Sequence, residues 1–310
     1  MHSITGRWRL GLSLSLLTAI VWGLLPIGLK GVLTNMDPIT VTWYRFLVAA
    51  MLIAPYLAYH KSLPNIKKLR GGVLLMAIVC ILSLCFNYNF YVFGLNTIPA
   101  SSAQVMIQFA PMLLLLGGLI IFKEKFSAVQ WFGFFIFLCG IFLFFNQRLH
   151  ELFTSLSDYT IGVAWIGAAA ITWAGYALTQ KQLLVELGSA GIMLLIYVVG
   201  VILMLPLIDA MQIFNLNHIE LFSLLFCCLN TLIGYGAFAE ALNHWEASRV
   251  SAVLATTPLF SIIFMNILEQ LVPGFLPVEQ LNVWSIVGAL LVVFGSMITA
   301  LYRNKELKAS

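Results

Sequence analysis

Residues 103–122 read AQVMIQFAPMLLLLGGLIIF, a run of twenty positions without a single charge. At about 1.5 Å of rise per residue, such a run coiled as a helix covers the roughly 30 Å hydrocarbon core of a bilayer. It does not alternate apolar with polar residues, so it is not a strand of a membrane β-barrel. Nine further runs of the same kind lie at approximately 10–29, 40–59, 72–95, 127–145, 162–179, 191–208, 221–242, 250–268 and 281–301. The fold expected is therefore all-α and integral to a membrane, with ten transmembrane helices, numbered here as spans 1 to 10.

Composition agrees with that reading. Of 310 residues, 61% are hydrophobic and 9% charged, against roughly 25% charged in an ordinary soluble domain. Helices that are apolar all round need an apolar solvent, so the lipid bilayer is an expected partner. Cys80, Cys85, Cys139, Cys227 and Cys228 all fall inside spans, without metal-ligand spacing, and read as small packing residues. No phosphate loop, zinc-protease motif or nucleophile elbow is present. Neither a cofactor nor a metal nor nucleic acid is expected, and no catalytic residues are assigned. The first span follows Arg7 and Arg9 but is long for a signal peptide and lacks a small-residue cleavage site, which reads as a retained helix.

Ten helices place the loops on two alternating sides. Arg7, Arg9, Lys61, Lys67, Lys68, Arg70, Lys123, Lys125, Lys181, Arg249, Arg303, Lys305 and Lys308 fall on the side of the termini, while Lys30 and Arg148 fall on the other. The positive-inside rule then puts both termini in the cytoplasm of a multi-pass protein of the inner (plasma) membrane.

The chain also repeats weakly. At an offset of 151, Trp22 falls on Trp173 and Pro55 on Pro206; at 147, Tyr88 meets Tyr235 and Pro111 meets Pro258; at 155, Gly133 and Gly140 meet Gly288 and Gly295. Two halves follow, residues 1–148 and 149–310. Each holds five helices, an odd number, so the second enters the membrane inverted. Inverted halves around a central cavity are the usual construction of secondary transporters.

Particular strings carry a resemblance. Trp22-Gly23 in span 1, Trp43-Tyr44-Arg45-Phe46 opening span 2, Ala100-Ser101-Ser102-Ala103 leading to Pro111, Phe122-Lys123-Glu124-Lys125, and Ala247-Ser248 leading to Pro258 together resemble the ten-helix EamA branch of the drug/metabolite transporter superfamily. The sequence departs from that pattern after Pro258, where Glu269 comes at eleven positions rather than thirteen and a longer loop follows. The resemblance implies a cavity lined by spans 1, 3, 4, 6, 8 and 9, with spans 5 and 10 toward lipid or a homodimer contact. It also implies export of amino acids or other small metabolites. The chain lacks the set of intramembrane Lys and Arg that a phosphate ester would need.

Within the spans, Arg45 is the costliest residue, at roughly 2.5–3.5 kcal/mol at a helix centre. Two readings stand for it: snorkelling to the outer interface, or contact with a substrate carboxylate. Its partner in the repeat is Ile196, so symmetry does not demand the charge. Ser101, Gln104, Gln108 and Pro111 share a stripe of span 4, and Asn87 and Tyr91 lie one turn apart on span 3. These are expected either to line the cavity or to bond helix to helix. Trp22, Trp173, Tyr88, Tyr176 and Tyr235 are candidates for aromatic walls, and Pro111 and Pro258 for matched bends at the moving parts. Glu240 reads as a coupling carboxylate or an interfacial residue. The expected activity is secondary transport of a small polar metabolite such as an amino acid, by alternating access and in the export direction. The alternatives are efflux of drugs or cationic amines, and a membrane-embedded lipid-modifying enzyme. The last would need converging carboxylates or histidines within the spans, and the sequence shows no such pair.

Overall fold

The computed structural model describes residues 6–121, 127–245, 247–274, 276 and 279–302. Among them every regular element is helical: α1 (Trp8–Val32), α2 (Pro38–Tyr59), α3 (Gly71–Thr97), α4 (Ala100–Met106), α5 (Phe109–Ile121), α6 (Ala128–Phe144), α7 (Leu149–Thr154), α8 (Asp158–Leu183), α9 (Ser189–Met204), α10 (His218–His244), α11 (Ala247–Leu254), α12 (Thr257–Leu271) and α13 (Val283–Leu301), with three short 3₁₀ turns. Counting α4–α5 and α11–α12 as one span each, nine helical stretches among the described residues are long and apolar enough to cross a membrane; α6, at 17 residues, is a shorter tenth. The chain is a multi-pass membrane protein. Large apolar side chains such as Phe132, Phe222 and Trp284 face outward, each at least 60% exposed, as a lipid-facing surface requires.

Several helices start earlier than the apolar runs, because polar residues at their ends satisfy backbone N–H groups. Asp37 accepts from the amides of Ile39 and Thr40, with Pro38 opening α2. Asn217 and Glu220 form a reciprocal capping box that starts α10 three residues before the apolar run, and Ser127 with Gln130 forms another at the start of α6. The short helix α7 was not expected from the sequence.

The most extensive helix contacts form an exchangeable list. Span 1 packs on span 8 and span 6 on span 3; span 1 meets span 9 as span 6 meets span 4; span 2 lies against span 7 and span 5 against span 10. Swapping spans 1–5 with 6–10 leaves that list unchanged. A close backbone approach joins α6 to α13. A Cβ at Gly140 would stand 2.8 Å from the carbonyl oxygen of Gly288, and one at Gly295 would stand 2.6 Å from that of Gly133. Only glycine lets these backbones meet, and the pairing of 140 with 288 and 133 with 295 makes the helices antiparallel.

Spans 4 and 9 are interrupted where proline chemistry dictates. Proline has no N–H to give the carbonyl four residues back, and its ring crowds that carbonyl. Four residues before Pro111 is Ile107, and α4 gives way to α5 at Ile107–Gln108; four before Pro258 is Leu254, where α11 ends. The Ile107 carbonyl accepts instead from the Ala110 amide at 2.9 Å, and the Leu254 carbonyl from the Thr257 hydroxyl at 2.6 Å.

Candidate functional site

Between the helices lies a cavity of about 610 Å³, within the range of small-molecule sites. Its lining runs from Arg45, Tyr88 and Asn87 near mid-depth to Gln130, Lys181, Thr299 and Ala300, which sit at the ends of α6, α8 and α13 on the side of the termini. Lys181 there is exposed. The opposite side is drawn shut by polar ties. Ser101 and Ser102 donate to the Glu279 carboxylate at 2.5–2.8 Å, with the Tyr159 hydroxyl 3.4 Å from it. Thr34 and Asn35 donate to Glu220 at 3.0 and 2.7 Å, and Asn146 exchanges amide hydrogen bonds with Asn282.

Trp22, Arg45, Asn87, Tyr88, Tyr91, Gln104, Gln108, Trp173 and Tyr235 all line this cavity, as does Pro111. Tyr176 does not: it is buried behind the wall, in the apolar cluster that also holds Tyr88, its hydroxyl 3.4 Å from Met193 Sδ. Pro258 is buried beside the lining residue Thr257. Glu240 is exposed near the terminus-side end of α10, its carboxylate 2.9 Å from His244 Nε2, and does not reach the cavity. Ser101 leaves the stripe of span 4 to hold Glu279.

Arg45 does not snorkel. It is 3% exposed, its Nε donates to Thr231 Oγ1 at 3.2 Å, and its guanidinium carbon stands 4.6 Å over the Tyr88 ring. Thr231 is oriented for this, because its own hydroxyl donates to the Cys227 carbonyl at 3.0 Å. Tyr88 is braced from behind by Phe46, with ring centroids 4.8 Å apart. Among the described residues, no carboxylate forms an ion pair with Arg45.

Two of the amides are partly committed to the protein. Gln104 Nε2 donates to the Trp22 carbonyl at 2.7 Å. That carbonyl lies four residues before Pro26, inside α1, so proline has freed it and Gln104 satisfies it. Asn87 Nδ2 donates to the Ala169 carbonyl at 2.8 Å. The Trp22 ring stands edge-on to Tyr235 at 5.2 Å and tilted against Phe238 at 5.8 Å.

Sequence reasoning missed Asn230, Thr231 and Phe238 of α10, and also the contributions of Gln130, Ser296 and Thr299 from spans 5 and 10. The adjacent polar pair Asn230-Thr231 inside an apolar run was the available signal. Span 2, absent from the lining that the resemblance implied, supplies its buried charge.

The sequence profile of the EamA-like transporter family matches residues 9–146 and again 160–301. The chain belongs to that family. A transporter of Haemophilus influenzae, described as uncharacterized, is 39% identical to this EamA-type transporter over 94% of this chain and 95% of its own. The "uncharacterized inner membrane transporter YhbE" of Escherichia coli is likewise 39% identical, over 94% and 91%. At 22% identity, over 91% and 92%, stands a "probable amino-acid metabolite efflux pump" of Escherichia coli. A protein of known crystal structure superposes with a TM-score of 0.66 over 98% of this transporter and 99% of that chain, at 15% identity; it shares the fold.

Proposed function

We propose that this transporter exports a small zwitterionic metabolite, an amino acid or a close relative, across the inner membrane by alternating access. The observation that carries the reading is Arg45: a buried guanidinium facing the cavity without a carboxylate partner among the described residues. A fixed cation in low dielectric is costly unless something pairs with it, and a substrate carboxylate is that partner. Asn87, Tyr91, Gln104 and Gln108 add hydrogen bonds, while Trp22, Trp173, Tyr88 and Tyr235 form the wall.

The exchangeable helix contacts and the antiparallel α6–α13 seam support two inverted halves, residues 1–148 and 149–310. The excess of Lys and Arg on the terminus side supports a cytoplasmic location for both termini. On that orientation the cavity reaches toward the cytoplasm and is tied shut toward the outside, which is the loading state of an exporter. The breaks before Pro111 and Pro258 are the hinges about which the two halves exchange their openings. The efflux-pump name of a distant relative points the same way.

In proteoliposomes loaded with a mixture of radiolabelled amino acids, the wild-type protein should release label, and Arg45→Ala should lower the flux at least about tenfold at equal reconstituted amount. Undiminished flux through Arg45→Ala would reject the assignment.

A further inference from the structure

The charges around the cavity are one-sided. Its described lining includes Arg45 and, at the terminus-side end, Lys181, but no Asp, Glu or His. The neighbouring carboxylates are engaged elsewhere: Glu279 with Ser101 and Ser102, Glu220 with Thr34 and Asn35, Glu240 with His244. A carboxylate entering here finds a guanidinium whose fork can donate two parallel N–H hydrogen bonds to its oxygens. An ammonium finds no countercharge.

Two of the neutral devices that could hold an ammonium group are also taken. Arg45 itself covers the face of Tyr88 at 4.6 Å, and Trp22 is locked against Tyr235 and Phe238. Amide oxygens and the rings of Trp173 and Tyr91 remain, yet they bring no full charge to offset the desolvation of a cation standing in the same cavity as Arg45. We infer that the transporter reads the carboxylate and not the amino group, so that its substrate class extends to monocarboxylates on an aromatic or branched apolar body, carried as net anions. The inference rests on the export reading above and deepens it. An anion leaving the cytoplasm moves down the inside-negative potential, so such export proceeds as electrogenic flow through a cavity whose described lining offers no carboxylate or histidine to carry a coupled proton.

Three compounds that share one phenyl body separate the groups: phenylalanine, 3-phenylpropionate and 2-phenylethylamine. Binding to the purified full-length transporter in detergent is measured by titration calorimetry, and charge movement with proteoliposomes on a solid-supported membrane. The expected result is that phenylpropionate binds at least as tightly as phenylalanine, with the amine weaker by about tenfold or more. Phenylpropionate should give a transport current and phenylalanine none. Arg45→Gln should weaken both acids by about tenfold or more, and Arg45→Lys, which keeps the charge without the fork, should fall between.

Phenylalanine binding with phenylpropionate tenfold weaker would overturn the inference and leave amino-acid export standing. An amine that binds best would overturn both. If none of the three binds while the amino-acid mixture still leaves wild-type proteoliposomes, the inference alone fails; if that flux is absent too, both fail.

Discussion

Residues 9–146 and 160–301 match one family profile twice, yet they contribute opposite chemistry at matched positions. Arg45 of α2 and Ile196 of α9 are 151 residues apart, in register with the repeat. Arg45 faces the cavity, whereas Ile196 is fully buried in an apolar cluster with Phe46, Tyr88 and Tyr197. The two helix breaks differ in the same way. At Pro258 the freed carbonyl is answered locally, by the Thr257 hydroxyl. At Pro111 the break is closed by backbone alone, and the residue at its corner, Gln108, turns toward the cavity. The backbone plan is shared while the polar equipment is not: the first half lines the cavity with Arg45 and the amides Asn87, Gln104 and Gln108, the second half with Asn230 and the smaller hydroxyls of Thr231, Ser296 and Thr299.

Exchanging the two side chains should break that comparison most severely. In Ile196→Arg a guanidinium would enter a cluster that offers it no counterion, at a cost of several kcal/mol, and the variant should fail to accumulate in membranes. Adding Arg45→Ile should not rescue it. Normal abundance and flux in the double variant, measured by immunoblot and proteoliposome efflux, would show that the halves are interchangeable after all.

Where the halves are alike, their variants should behave alike. Gly140→Ala and Gly288→Ala each push a methyl into the facing backbone of the α6–α13 seam. Each should cost about 1–3 kcal/mol by overpacking, read as a lower Tm in detergent, and the two losses should agree closely. A loss confined to one position would mean that the seam is not the symmetric contact described.

The helix breaks sharpen the contrast further. Thr257→Val removes the hydroxyl from the Leu254 carbonyl and should lower stability by about 1–3 kcal/mol. Gln108→Leu removes no hydrogen bond seen within the protein and should leave stability within about 0.5 kcal/mol of wild type while reducing flux. If instead Gln108→Leu destabilises and Thr257→Val does not, the division of labour between the breaks is reversed.

How much of this was legible beforehand depended on how local each feature is. The apolar runs announced the spans, since burial in lipid is a property of twenty consecutive residues. Arg45 stood out because a charge inside such a run is costly wherever it points. Direction around a helix was less legible. Trp173, Ala177 and Lys181 follow at steps of four and line the cavity, but Tyr176, three residues from Trp173, rotates the other way and packs on Met193 of α9. One step of 100° decides that, and no periodicity in α8 marks where the cavity ends. Glu279 was illegible for a different reason: it reaches Ser101 and Ser102 across 177–178 residues of sequence, from a loop with no repeating pattern. The proline rule located both breaks to the residue, although the sequence alone suggested bends in continuous helices.

The smallest effect belongs to the link that neither half shares. In α7 and the turn after it, Glu151 accepts from the Ser157 hydroxyl at 2.6 Å and pairs with Arg148 at 2.8 Å. Those two partners, the Ser157 hydrogen bond first, hold the Glu151 carboxyl below its ordinary range. A carboxyl with a lowered folded pKa stabilises the protein above the pKa of the unfolded chain, about 4.3, and the contribution vanishes as pH falls through the folded value. The Tm gap between wild type and Glu151→Gln should therefore be constant from pH 7 to about pH 5 and shrink at more acid pH. Because the pair is at the surface, the gap should be small and should narrow in high salt. Ser157→Ala provides the contrast, since Ser157 also caps α8 through the Thr160 amide. Loss of a cap is independent of pH, so that variant should keep part of its Tm deficit in acid, where Glu151→Gln no longer differs from wild type. A gap for Glu151→Gln that persists unchanged in acid would mean that the carboxylate acts by shape rather than charge.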